Sequence, residues 1–313
     1  MSELARQACD LSVVIPLYRE GVHLGDTVKE ISRVLEGLET RYELILVDDG
    51  SPDDTWQAIT AQAKHNPAVK GLRLSRNFGK EAALAAGLEQ ACGKAIVVMD
   101  GDLQHPPSLI PTMLQCWRDG AEVVEAVKQH RGKESLQSRV RAQVFYRTFA
   151  LLAGYDLRGA SDFKLIDRRV LEAWRHMGER NLFFRGMSAW LGFRRVQLPF
   201  DVPERAGGQS TWSVLKLTRL AMTAVTSFSS APLHLITLAG MGFMLFSLIL
   251  GMQTIYLKLA GKAVDGFTTV ILLLLIIGGA VMLGLGIIGT YVARIYEEVK
   301  GRPRYIIAEQ VEQ

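Results

Sequence analysis

Cysteine is scarce. The chain has three in 313 residues, Cys9, Cys92 and Cys116, odd in number, widely spaced and without a CxxC pair. Such a set excludes a disulfide framework, argues against a zinc site, and fits a reducing compartment with the thiols as small buried apolar groups. No internal repeat of solenoid length and no low-complexity tract occurs. The first ten residues are polar and lack the apolar core of a signal peptide, so the folded domain is expected in the cytosol. The net charge of +4 is a modest surplus, no nucleic-acid module is present, and no nucleic-acid partner is expected.

The absence that matters most is local. Residues 220–257 contain no Asp, Glu, Lys or Arg, and neither do residues 266–293. Each window exceeds the roughly 20 residues needed to cross about 30 Å of hydrocarbon. Within them, residues 235–257 and 270–288 are apolar on all faces, as membrane spans are and half-exposed helices are not. The connector 258–265 is short, whereas Lys216, Arg219, Arg294, Lys300, Arg302 and Arg304 flank the outer ends. The positive-inside rule therefore predicts a two-span hairpin in the inner membrane with both termini in the cytosol.

What the chain has in quantity, at 49% apolar residues, is hydrophobic runs that end in acids. The run 95–99 leads into Asp100-Gly101-Asp102-Leu103-Gln104, and 42–47 leads into Asp48-Asp49-Gly50-Ser51. Two further strand-like runs, 11–15 and 70–74, end in Pro16-Leu17-Tyr18-Arg19-Glu20 and Ser75-Arg76-Asn77-Phe78-Gly79-Lys80. Helix-length segments follow each, near 22–38, 54–65, 79–91 and 108–117. Strands alternating with helices predict an α/β, mainly parallel sheet, whose strand exits open on one edge where ligands bind. Asp100 and Asp102 are hard oxygen donors, suited to Mg²⁺ or Mn²⁺ on phosphates. Gly50 permits a tight turn, and Ser51 or Asp53 is placed to cap the next helix.

These motifs resemble those of family 2 glycosyltransferases with the GT-A fold, in the branch of dolichol-phosphate mannose synthase and bacterial polyprenyl-phosphate (bactoprenol) glucosyltransferases. The resemblance covers nearly the whole chain, membrane segments included. It implies that Pro16, Tyr18, Glu20 and Asp48 contact the nucleoside of a nucleotide sugar, with Asp49 and Lys80 assisting. Asp100, Asp102 and Gln104 become the metal and diphosphate set, with Mg²⁺ or Mn²⁺ as cofactor. The family usually has Asn where this chain has Arg19.

A basic cluster, 128–133, precedes Arg139, Arg141 and Arg147 on an expected helix over 135–153. A solvated basic face and an acceptor site both fit it. Guanidinium groups bind phosphate through paired, charge-assisted hydrogen bonds, and by resemblance Arg131, Ser135 and Arg139 approach a lipid phosphate. Asp162 lies near the acceptor in the family, as a base or an orienting group. A phosphate monoester, already largely dianionic at neutral pH, hardly requires a strong base. The loop 204–212 carries Arg205 and Ser210, candidate clamps on the diphosphate, although Thr211 stands where the family often has Lys.

The expected organisation is a GT-A domain (1–204), an active-site loop with an amphipathic interfacial segment (205–230), and a transmembrane hairpin with a cytosolic tail (231–313). The expected activity is inverting transfer of glucose from UDP-glucose to polyprenyl phosphate at the bilayer; the oligomeric state is left open. GDP-mannose or a UDP-amino sugar is the alternative donor. A transport or scaffold protein with a degenerate sugar-nucleotide domain is the rival of another class, although spans without acids or bases make a poor polar route. A nucleotidyltransferase, which would release pyrophosphate, shares the acidic edge but needs no hairpin.

Overall fold

The computed structural model describes residues 9–128, 161–177, 184–200, 231–261 and 266–312. Four apolar strands, β1 (Leu11–Leu17), β2 (Tyr42–Asp48), β3 (Val69–Leu74) and β4 (Ala95–Val98), alternate with α1 (Leu24–Glu36), α2 (Thr55–His65) and α3 (Lys80–Gln90). All seven elements fall on the segments predicted from the hydrophobic pattern. The strands pair in parallel in the order β3-β2-β1-β4. The chain moves outward from β1 to β3 and then crosses to the other side of β1, so the strand order reverses between β1 and β4. A crevice opens at such a switch point, beyond the carboxyl ends of the strands.

A short 3₁₀ turn (Pro107–Leu109) leads through α4 (Ile110–Arg118) and β5 (Val123–Lys128). After it come β6 (Lys164–Asp167), α5 (Arg168–His176), α6 (Phe184–Trp190) and β7 (Arg195–Phe200). β6 runs antiparallel to both β4 and β5, and β7 is parallel to β5. Alternate residues of β1 feed two cores. Val13 and Ile15 pack with side chains of α1, α2 and α4, whereas Val14 packs with side chains of α3, α5 and α6. Fully buried side chains such as Ile31 and Leu44 each contribute about 1.5–3 kcal/mol relative to exposure.

The far end of the chain also belongs to this sheet. β8 (Ile307–Val311) pairs antiparallel with β3, giving the order β7-β5-β6-β4-β1-β2-β3-β8 among the described strands. The sequence reading leaves this segment as a tail, because Ile-Ala-Glu-Gln-Val is too polar to stand out as a strand. Its two large apolar residues, Ile307 and Val311, are the half-buried ones.

The sheet and its helices, together with β8, form one compact unit, and two long helices, α7 (Ala231–Leu259) and α8 (Phe267–Val299), form a second. Both are long and apolar enough to cross a membrane, with mean hydropathy 1.7 over Ile236–Leu257 and 2.0 over Ile276–Val299. Almost none of that apolar surface is buried within the protein, which removes the reading of either helix as a soluble core element. The interfacial segment expected at 205–230 lies outside the described residues, as does the helix expected over 135–153. The cysteines depart from expectation. All three are half-exposed rather than buried, and Cys9 and Cys92 lie with Glu43 within 4.8 Å of one another. Glu43 is already engaged there by Ser12, the Cys92 N–H and Lys70.

Candidate active site

Sharp turns bring the strand exits together. Gly50 has φ +64°, and a Cβ there would lie 2.4 Å from the carbonyl carbon of Arg76. Glycine is what lets the loop after β3 press against the end of β2. Asp49 locks that contact, its two carboxylate oxygens accepting from Phe78 N at 2.7 Å and Gly79 N at 2.9 Å. Asp48 Oδ1 accepts from Ser51 N at 2.9 Å, and Ser51 Oγ accepts from Arg19 N at 3.0 Å. Ser51 therefore ties the β1 exit to the β2 exit, and Asp53 is the one of the two that serves the start of α2, its Oδ1 accepting from Thr55 N at 3.3 Å and Thr55 Oγ1 at 2.6 Å. Burial pushes the Asp48 and Asp49 carboxyls above the ordinary range despite the N–H groups that donate to them.

The β4 exit is built differently. Gly101 packs so tightly against β1 that a Cβ would meet Leu17 Cδ2 at 2.5 Å, and its carbonyl accepts from Thr27 Oγ1 at 3.0 Å. Sequence reasoning missed Thr27, which offers no signal beyond its place one turn into α1. The turn leaves Asp100 half-buried and Asp102 exposed, with Asp102 Oδ1 accepting only a local N–H, from Gln104 at 3.1 Å. Glu20, from the β1 exit, faces the same space. Burial, then the negative fields of Asp102 and Asp100, push its carboxyl up. Two site residues other than glycine adopt left-handed backbone, Arg19 at φ +61° and Leu103 at φ +53°. Asn tolerates that region better than Arg, which gives a physical reason for the Asn that the resemblance leads one to expect in place of Arg19.

Lys80, the first residue of α3, joins two distant acids. Its Nζ lies 2.6 Å from Asp100 Oδ1 and 3.0 Å from Asp162 Oδ2. Burial alone would lower the ammonium's pKa, but Asp162 and Asp100 outweigh it and hold it above its ordinary value. The antiparallel register explains the meeting: Val98 pairs with Lys164, so a residue just before β6 stands beside a residue just after β4.

A cleft of about 330 Å³ sits at the switch point, lined by Pro16, Tyr18, Glu20, Asp49, Lys80, Asp100 and Asp102 among others. Asn77 and Ala83 also line it; neither was singled out from the sequence. Asp162 reaches the site through Lys80, Gln104 stands beside Asp102, and Asp48 lies buried beneath the β2 exit. Arg131, Ser135, Arg139, Arg205 and Ser210 lie outside the described residues.

Comparison with known proteins matches this arrangement to a family. The model of the family described as glycosyl transferase family 2 matches residues 12–175, which contain every strand exit of the cleft. The chain belongs to glycosyltransferase family 2. It is an enzyme of that family, with a GT-A fold. An uncharacterized glycosyltransferase from Synechocystis sp. is 37% identical over 305 residues, covering 96% of this chain and 95% of that one. The bactoprenol glucosyl transferase of Shigella phage SfII is 35% identical over 299 residues, covering 95% and 97%. Among solved structures, that of a mycobacterial protein aligns with a TM-score of 0.50 over 72% of this chain and 77% of its own, at 21% identity; it bears on the fold alone.

Proposed function

We propose that this glycosyltransferase transfers a sugar, glucose from UDP-glucose, to polyprenyl (undecaprenyl) phosphate at the cytoplasmic face of the inner membrane, releasing nucleoside diphosphate. The observation that carries the reading is one chain holding both an acidic cleft at a sheet switch point and two apolar helices with unburied surface. Similarity over 95% of the chain to a bactoprenol glucosyl transferase supports it.

Glu20, Asp100 and Asp102 offer carboxylates to one space, where burial and then the fields of Asp102 and Asp100 raise the cost of charging Glu20, so the donor set fits a hard divalent cation. Asp100 and Asp102, with Gln104, would hold Mg²⁺ or Mn²⁺, which when bound neutralises charge on the departing diphosphate. Pro16 and Tyr18 line the donor end, and Asp48 meets the nucleoside. Lys80 supplies a fixed positive charge at the diphosphate side. Asp162, held by Lys80, orients the acceptor phosphate, whose second ionisation near pH 6 makes strong base catalysis unnecessary. Arg131, Ser135 and Arg139 would receive the lipid phosphate, and Arg205 and Ser210 would close over the donor. Attack from the face opposite the diphosphate inverts the anomeric centre.

Connectivity supports the topology expected from the basic flanks. The chain leaves α8 and rejoins the catalytic sheet as β8, so two spans return it to the side from which it entered. A reporter after Ala260 is expected to read as extracytoplasmic, and reporters at the two termini as cytoplasmic.

The deciding assay combines purified protein, undecaprenyl phosphate and a panel of radiolabelled nucleotide sugars. Label from UDP-glucose should move to the lipid. Preference for GDP-mannose or a UDP-amino sugar would overturn the donor and keep the acceptor, whereas release of pyrophosphate would identify a nucleotidyltransferase. Transfer from none of them would favour the scaffold reading.

A further inference from the structure

β8 reaches toward the nucleotide side of the site through one side chain. Glu309 stands opposite Arg73 in the β3–β8 register. Its Oε1 accepts from Arg73 Nη1 at 2.7 Å, and its Oε2 accepts from Trp56 Nε1 at 2.9 Å. The same Arg73 places Nε 3.6 Å from Asp48 Oδ2, an ion-pair distance too long for a hydrogen bond. One guanidinium is thus shared by two carboxylates from opposite ends of the chain. Asp48 is completely buried and its Oδ1 is taken by Ser51 N, while its Oδ2 has no hydrogen-bond donor. A buried carboxylate oxygen in that state is an acceptor in want of an N–H.

We infer that Glu309 is a positioning residue for the donor nucleotide: it competes with Asp48 for Arg73 and so keeps Asp48 Oδ2 available to an N–H of the nucleoside base. The inference rests on the proposed reading of Asp48 as a nucleoside contact. Without the Glu309 carboxylate, the anion left beside Arg73 among the described residues is Asp48. Attraction to a buried carboxylate is screened less than attraction to an exposed one. The guanidinium then closes on Asp48 and occupies the oxygen that the base requires. With Glu309 in place, Arg73 has a short charge-assisted bond outside the pocket and yields its place as the base enters.

A mere edge staple would show itself in stability, so the test separates binding from folding. Binding of UDP, with GDP in parallel, is measured by calorimetry on the full-length protein in detergent micelles. Glu309→Gln keeps the side-chain shape and an acceptor for Trp56. It should weaken UDP binding and raise the donor KM about fivefold while leaving the KM for lipid phosphate unchanged, a split that loss of the Arg73–Glu309 ion pair as an edge staple would not produce. Glu309→Asp should recover part of the loss. Adding Arg73→Gln to Glu309→Gln should restore binding toward the wild-type value, because no guanidinium is left to cover Asp48. Wild-type affinity in Glu309→Gln, or a double variant that binds no better than the single, overturns the inference. A wild-type protein that binds neither nucleotide would refute the donor reading and take this inference with it.

Discussion

The β2 and β4 exits look alike in sequence, each an apolar strand running into two acids and a glycine, yet they do different work. At the β2 exit, Asp49 spends both oxygens on backbone N–H groups, and Asp48 is buried with one oxygen on Ser51. At the β4 exit, Asp102 is exposed and Asp100 meets the ammonium of Lys80. Carboxylate oxygens bonded to the backbone hold loops in place; those without such a bond, Asp48 Oδ2 among them, remain available to ligands. The deciding feature is where the turn sends the side chain, not the residue type.

The contrast breaks most sharply at Asp102. Asp102→Asn should lower kcat by about a hundredfold or more while leaving the unfolding midpoint of the full-length protein unchanged. A chelator should do the same to the wild type, reversibly with Mg²⁺ or Mn²⁺. Full turnover in chelator would remove the metal from the account. Asp49→Asn should behave in the opposite sense, since the amide nitrogen presents hydrogens to an N–H that needs an acceptor. A destabilisation of about 1–3 kcal/mol is expected, read as a lower thermal midpoint. Activity lost at unchanged stability would place Asp49 with Asp102 and erase the distinction.

The smallest effect expected is at Glu20, whose folded-state pKa is raised by burial and by Asp102 and Asp100. A carboxyl whose pKa is raised on folding weakens the fold above its unfolded pKa, and the penalty vanishes as pH falls below that value. Glu20→Gln should therefore raise the thermal midpoint slightly at neutral pH and lose that advantage below about pH 4. Equal midpoints at pH 7 would mean that the acids do not share a field.

Much of this was legible in the sequence, and the boundary of legibility is physical. The hydrophobic runs read for β1 to β4 fall on the observed strands, and the exits do converge, because parallel pairing leaves their carboxyl ends on one edge. The pairing of Lys80 with Asp162 was not legible. It depends on the register of an antiparallel strand, which no local pattern encodes. Nor was the role of Asp49, since a helix cap, a loop clamp and a ligand contact all use the same carboxylate. β8 was missed because its stability comes from β3, from Trp56 and from Arg73, and only Ile307 and Val311 hint at it.

That strand also sets a timetable. Arg73 and Glu309 are separated by 236 residues, and both apolar helices are made in between. At roughly 5–20 residues per second, β3 emerges from the ribosome some ten to fifty seconds before its edge partner exists. During that interval the open edge of the nascent sheet can pair with a neighbouring chain. The finished protein closes it with residues synthesised after both apolar helices, so a transcript cut short anywhere before β8 leaves a catalytic domain with a sticky flank.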